Sequence, residues 1–162
     1  MKHTISVYFQ NNFNALSRIV GLFSGRGFNV DSISFGESRE PEMAHMTITT
    51  KGDERIIEQI NNQLDKIIDV VKVEDLTYSP FVERELALIK VNSTPASRSQ
   101  IVELANVFRA KIIDISPGTL TIEVTGKKDK VNAAIGMLRR FGLEEVARTG
   151  AVALKREFAG ET

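Results

Sequence analysis

The stretch Thr4-Ile5-Ser6-Val7-Tyr8-Phe9-Gln10-Asn11-Asn12-Phe13-Asn14-Ala15-Leu16-Ser17-Arg18-Ile19-Val20-Gly21-Leu22-Phe23 changes its apolar period at Gln10. Before that point Ile5, Val7 and Phe9 alternate with Thr4, Ser6 and Tyr8, the period of a strand with one buried face. Beyond it Leu16, Ile19, Val20 and Phe23 fall at i, i+3, i+4 and i+7, one stripe on a helix. Gly25 and Gly27 are expected to end this helix, because glycine accepts the left-handed stop. Working outward, residues 29–37 (NVDSISFGE) and 43–51 (MAHMTITTK) read as two strands paired around the loop SREPE. Gly52-Asp53 then opens a second helix with Ile56, Ile57, Ile60, Leu64 and Ile67 at helical spacing. Val70, Val71, Val73 and Leu76 close the unit with a strand running to Tyr78. The order is βαββαβ.

The second half repeats it with different residues. Residues 86–91 are strand-like, Ile101, Leu104, Ala105 and Phe108 form a helical stripe, and residues 112–116 and 120–125 flank a Pro117-Gly118 turn. Val131, Ala134, Ile135 and Leu138 give a second helix, followed by strand-like residues 143–148 and an extra strand at 151–155. The fold class is therefore α+β: two ferredoxin-like βαββαβ domains in tandem, each an antiparallel sheet with both helices on one face. The expected boundaries are 1–78, a linker at 79–82 around Ser79-Pro80, 83–158 and a short tail at 159–162. Units of about 75 residues bury little apolar surface alone, so each should lean on its neighbour or on a second chain. The helix-free face of each sheet must be solvated, bind something flat, or pack on another sheet or chain.

The 21 basic and 21 acidic side chains cancel and form no long run of one sign, so the footprint of a nucleic-acid or anionic-membrane binder is missing. No 18-residue apolar run and no secretory leader is read, and with no cysteine the expectation is a cytoplasmic protein. Histidine occurs only at His3 and His45, in no metal-gathering spacing. The glycines at 21, 25 and 27 end a helix, whereas a dinucleotide fingerprint opens one. No phosphate loop or nucleophile elbow occurs. The acidic pairs Glu83/Glu85 and Glu144/Glu145 read as solvated surface, so no catalytic residue is expected.

The polar run Gln10-Asn11-Asn12-Phe13-Asn14 joins an apolar strand to an apolar helix. Its backbone N–H groups open that helix and suit a carboxylate, and the amide of Asn29 is a further donor and acceptor. Such a set fits a zwitterionic amino acid, while the competing reading is a helix cap and turn, both of which favour Asn.

Asn11-x-x-x-Ala15-Leu16-x-Arg18 and Arg26-Gly27-Phe28-Asn29 resemble the ACT domain, a ferredoxin-like module that senses amino acids. Three further segments, VERELALIKV (82–91), FRAKIIDI (108–115) and EVARTG (145–150), resemble regulatory (small) subunits of acetohydroxyacid synthase, and the likeness runs in order from about residue 3 to 156. The resemblance implies a non-catalytic chain that pairs through its ACT domains into a homodimer. It would bind valine at that interface and adjust a separate catalytic (large) subunit in branched-chain amino-acid biosynthesis. Asn11, Asn14, Ala15, Leu16, Asn29 and Val30 are the ligand contacts it implies. It places thiamine diphosphate, magnesium and FAD on the catalytic subunit and no cofactor or metal on this chain. Two positions depart from the family: Asn14 stands where a glycine is usual, and Ala44-His45 where a Ser-Arg pair is common. The departure at Asn14 implies weakened valine sensing, or a different amino acid. The alternative is a stand-alone ACT sensor acting on another enzyme or on gene expression.

Overall fold

The computed structural model describes residues 1–157. The first unit runs β1 (Lys2–Gln10), α1 (Phe13–Arg26), β2 (Val30–Glu37), β3 (Met43–Lys51), α2 (Glu54–Asp65) and β4 (Val70–Asp75). Its sheet has the order β2-β3-β1-β4 and is antiparallel throughout. The second runs β5 (Phe81–Asn92), α3 (Arg98–Val107), β6 (Lys111–Ile115), β7 (Thr119–Gly126), α4 (Lys128–Leu138) and β8 (Leu143–Arg148), with strand order β6-β7-β5-β8. Both are βαββαβ, as the two periods require.

Each unit has its own core. In the first, Ile5, Val7 and Phe9 of β1 and Ala44, Met46 and Ile48 of β3 meet Ala15, Ile19 and Phe23 of α1 and Ile57, Ile60 and Leu64 of α2. In the second, Ala87, Ile89 and Val91 of β5 and Leu120, Ile122 and Val124 of β7 meet Ile101 and Ala105 of α3 and Val131, Ala134 and Leu138 of α4. Asp53 caps α2, its Oδ1 accepting the Ile56 N–H at 2.9 Å.

Four details differ from the expectation. The centre of the buried stripe of α1 is Ala15, Ile19 and Phe23; Val20 is exposed and Leu16 half-buried. Gly25 lies inside α1, and the stop is Gly27 alone, at φ 66°, donating its N–H to the Phe23 carbonyl. β5 already begins at Phe81, so half of the expected linker is strand, the paired backbone outweighing the polar look of the segment. Glu85 is not solvated surface: it is buried at 4 % exposure and its carboxylate accepts from Arg148 Nε.

The last strand, β9 (Val152–Lys155), pairs with β5, and Arg156 N–H donates to the Pro80 carbonyl at 2.8 Å. The second compact unit is Glu83–Gly150, and residues 151–157 group with the first, where the expected domain ran 83–158. The physical reason is where β9 packs. Gly150, at φ 76°, turns the chain, and β9 then lies against β1 and β3. There Ala153 N–H donates to Thr47 Oγ1 at 3.2 Å, and Lys155 Nζ reaches Glu74 at 2.7 Å. Phe158 and the expected tail at 159–162 lie outside the described residues.

Ile56 and Ile60 are one turn apart on α2 yet differ in burial, 36 % against 0 % exposed. Ile60→Ala should lower the unfolding free energy by about 2–5 kcal/mol and Ile56→Ala by less than about 1 kcal/mol, measured by urea titration.

Candidate ligand site at the first loop

Gln10 ends β1 and Phe13 begins α1, so two residues make the connection. Asn12 is the cap: in extended backbone at φ −140°, ψ 159°, its Oδ1 accepts the Ala15 N–H at 2.8 Å. Its carbonyl takes the Leu16 N–H at 3.3 Å. The cap reading thus holds for Asn12. It leaves the N–H groups of Phe13 and Asn14 without an acceptor among the described residues, at the positive end of the α1 dipole.

Asn11 has a different task. Its backbone N–H donates to the Glu42 carbonyl at 2.8 Å and its Nδ2 to the Pro41 carbonyl at 3.1 Å, tying the loop to the β2–β3 connection. Asn11 Oδ1 and the whole Asn14 amide stay in solvent, beside an exposed Phe13 ring. Ala15 is fully buried in the core, so it supports the loop from beneath and offers no surface to a ligand in this chain. Leu16 is half-buried against the same core.

Asn29 and Val30 do not join this group within one chain. Val30 pairs with Thr50, which pairs with His3, while Gln10 pairs with Met43 at the other end of β3. Asn29 therefore sits at the opposite end of the sheet from Asn11, correcting the expectation that its amide joins the set at the start of α1. Its carbonyl accepts from the Thr50 hydroxyl and its side chain is exposed.

A second concavity, about 720 Å³, lies on the helix-free face. Tyr8, Met43, His45, Val71 and Leu154 line it, with Lys72 and Arg39 at its rim, and sequence reasoning did not find it because it needs β9. His45 sits on Tyr8, ring centroids 4.7 Å apart, with Nε2 2.8 Å from Ser6 Oγ. Burial lowers its pKa from the ordinary 6.5, so His45 supplies no charge at neutral pH. Among the described residues no cluster of histidine or carboxylate side chains is placed to hold a metal ion. No helix among them is long and apolar enough to cross a membrane.

These features define a regulatory protein of the ACT class, with a ferredoxin-like first unit and a second unit of the same order. The comparisons with known proteins agree. A family model for the "AHAS small subunit-like ACT domain" matches residues 5–72, and one for the "Small subunit of acetolactate synthase" matches 84–157. The acetolactate synthase small subunit of Aquifex aeolicus is 49 % identical over 98 % of this chain and 83 % of its own length. The probable small subunit of Archaeoglobus fulgidus is 47 % identical over 96 % and 98 %. The crystal structure of the small subunit from Thermotoga maritima superposes with TM-score 0.88 at 41 % identity, covering 96 % of this chain and 98 % of that one. The chain belongs to the family of acetolactate synthase small subunits, the regulatory partners of that enzyme.

Because the folded pKa of His45 is depressed, its contribution to stability is full above the unfolded value near 6.5 and is lost as pH falls toward the folded one. Urea midpoints at pH 7.5 and 5.5 should therefore converge in His45→Gln relative to the parent chain. An unchanged difference between the two pH values would show that another group carries it.

Proposed function

We propose that this chain forms a homodimer through its ACT units, associates with the acetolactate synthase catalytic subunit in the cytoplasm, raises its activity and makes it responsive to valine. The reading rests above all on the start of α1, where two backbone N–H groups face solvent beside Asn11 and Asn14. They suit the carboxylate of an amino acid, the amide oxygens suit its ammonium, and the exposed Phe13 offers an apolar wall. Asn29 and Val30 complete such a site only from a second chain, because α1 separates them from the loop by its own length, about 21 Å for 14 residues. Thiamine diphosphate, magnesium and FAD belong to the catalytic subunit in this reading.

Ligand binding acts on activity only through different affinities for two arrangements of the complex, typically a coupling of about 1–3 kcal/mol. The second unit is the proposed contact with the catalytic subunit. The helix-free side of its sheet carries Leu88, Lys90, Thr121, Glu145 and Ala147 around a shallow hollow of about 200 Å³. Leu88→Glu should weaken activation while leaving amino-acid binding as it is, read by an activation curve against subunit concentration and by calorimetry. An unchanged curve would remove this surface from the proposal.

Acetolactate formation by the catalytic subunit, with and without this chain and across a valine titration, tests the reading as a whole. Stimulation and co-elution are expected, with a shallow valine response, because Asn14 adds an exposed side chain at the start of α1, where a ligand carboxylate would approach. Asn14→Gly should tighten the apparent valine constant by about fivefold, roughly 1 kcal/mol. Low-micromolar valine binding by the parent chain would overturn the role given to Asn14. Absence of both stimulation and co-elution would overturn the partner.

A further inference from the structure

At the end of the first unit opposite the loop, a cleft of about 480 Å³ opens between α2 and the β1/β4 end of the sheet. His3 shares the parity of Ile5, Val7 and Phe9, so it faces the helices, and it is 99 % buried, with 1 % exposed. Its Nδ1 lies 3.0 Å from Asp75 Oδ2, and Asp75 Oδ1 accepts the Thr77 N–H at 3.0 Å. A carboxylate accepts at both oxygens, which assigns an imidazole hydrogen to Nδ1 and leaves Nε2 as an acceptor whenever the ring carries a single proton. His3 lines the cleft, and its Nε2, out of contact with solvent, has no hydrogen-bond partner among the described residues. Asn61 Oδ1, on the same wall and equally out of contact with solvent, has none either.

The rest of the lining points the same way. Glu54, Ile57, Glu58 and Asn61 fall at i, i+3, i+4 and i+7 along one face of α2, so two carboxylates stand at the rim above the two orphaned acceptors. Among the described residues no lysine or arginine lines the cleft. Tyr78 covers it: its ring is edge-on to His3 at 5.9 Å, its hydroxyl donates to Glu54 at 3.2 Å, and it is largely exposed. A side chain held by one exposed hydrogen bond swings aside readily, and its ring face attracts cations.

We propose that this cleft binds an organic cation carrying several N–H donors, a primary ammonium or a guanidinium, seated between Tyr78 and α2. His3 Nε2 and Asn61 Oδ1 accept its hydrogen bonds, and Glu54 and Glu58 supply the opposing charge. The source is a free amine or basic amino acid, or a basic side chain of another protein; the chemistry recognised is the same. This site is separate from the first loop and does not depend on valine binding.

The chain has two histidines, so a 15N-histidine spectrum holds one reporter in the cleft and one, His45, outside it. Titration with methylguanidinium or butylammonium chloride at fixed pH and ionic strength should move the His3 Nε2 signal to saturation and leave His45 in place. Tetramethylammonium, which has no N–H, should not compete. Glu58→Gln, at an exposed position, should weaken binding about tenfold, and Asn61→Ala should weaken it at least as much. A cation that still saturates the site in the presence of the catalytic subunit identifies a free ligand. A shift produced by that subunit and reversed by methylguanidinium identifies a basic side chain. No saturable shift with either cation or with the subunit, or an equal effect of tetramethylammonium, would overturn the proposal, leaving only solvent in the cleft.

Discussion

The first unit hangs on the alternation of β1. This strand is paired on both sides, with β3 and with β4, so its side chains have only the two faces of the sheet to enter. His3, Ile5, Val7 and Phe9 enter the helix side, where three of them build the core and the fourth borders a polar cleft. Thr4, Ser6 and Tyr8 enter the other side. A slip of one residue would exchange the two sets, which is why burial of Ile5, Val7 and Phe9 fixes the register of the whole sheet. The two ends of the same strand then become the two places with chemistry: its C-terminal end launches α1, and its N-terminal end holds His3 against Asp75.

The middle of the helix-free face is buried without being apolar. Thr4, Ser6, Thr47 and Thr49 are all nearly inaccessible, and hydroxyl partners account for three of them: Ser32 with Thr49 at 2.6 Å, Ser6 with His45, Thr47 with the Ala153 N–H. Such a layer holds only if each buried polar group finds a partner, and β9 supplies one of them. The tie continues in Glu74, whose carboxyl is held below its ordinary pKa first by the hydrogen bond from Lys155 and further by Lys72. That contribution is complete at neutral pH and fades as pH falls through the lowered value; with Glu74 half-buried and Lys155 and Lys72 exposed, solvent screening keeps it small.

The elements were legible because strand and helix periods are local properties. Ile5, Val7 and Phe9 at period two, and Ile57, Ile60 and Leu64 at helical spacing, declare themselves without reference to anything distant. What depended on distant contacts was not legible. Nothing near Val152 says that β9 returns to Thr47, more than a hundred residues earlier in the chain. The stripe of α1 shows the same limit: Val20 is as apolar as Ile19, and only the direction in which α1 leans on the sheet exposes the first and buries the second. At the loop, Asn12 was legible as a cap because capping is local, whereas Asn11 is committed to the Pro41 carbonyl across the β2–β3 connection. Asn29 follows α1 and so lies at the far end of that helix from Asn11, a separation that only the sheet topology reveals.

That separation carries a structural consequence. β2 runs parallel to β1 with β3 between them, so the residue entering β2 lies beside the residue entering β1, at the end of the sheet that α1 has left. Any ligand that touches Asn11, Asn14 and Asn29 together must be held by two chains whose α1 helices run antiparallel. β2 is an edge of the sheet, and Phe35 on it and Val20 and Phe13 on α1 are exposed apolar side chains, which suits this arrangement. Pairing β2 with its two-fold copy would close the β2 edge of each chain and, by the same antiparallel geometry, bring each Asn29 toward the other chain's α1 start. In the proposed dimer, sheet closure and ligand site are therefore one event, and Asn14, placed where the two chains meet, bears on both.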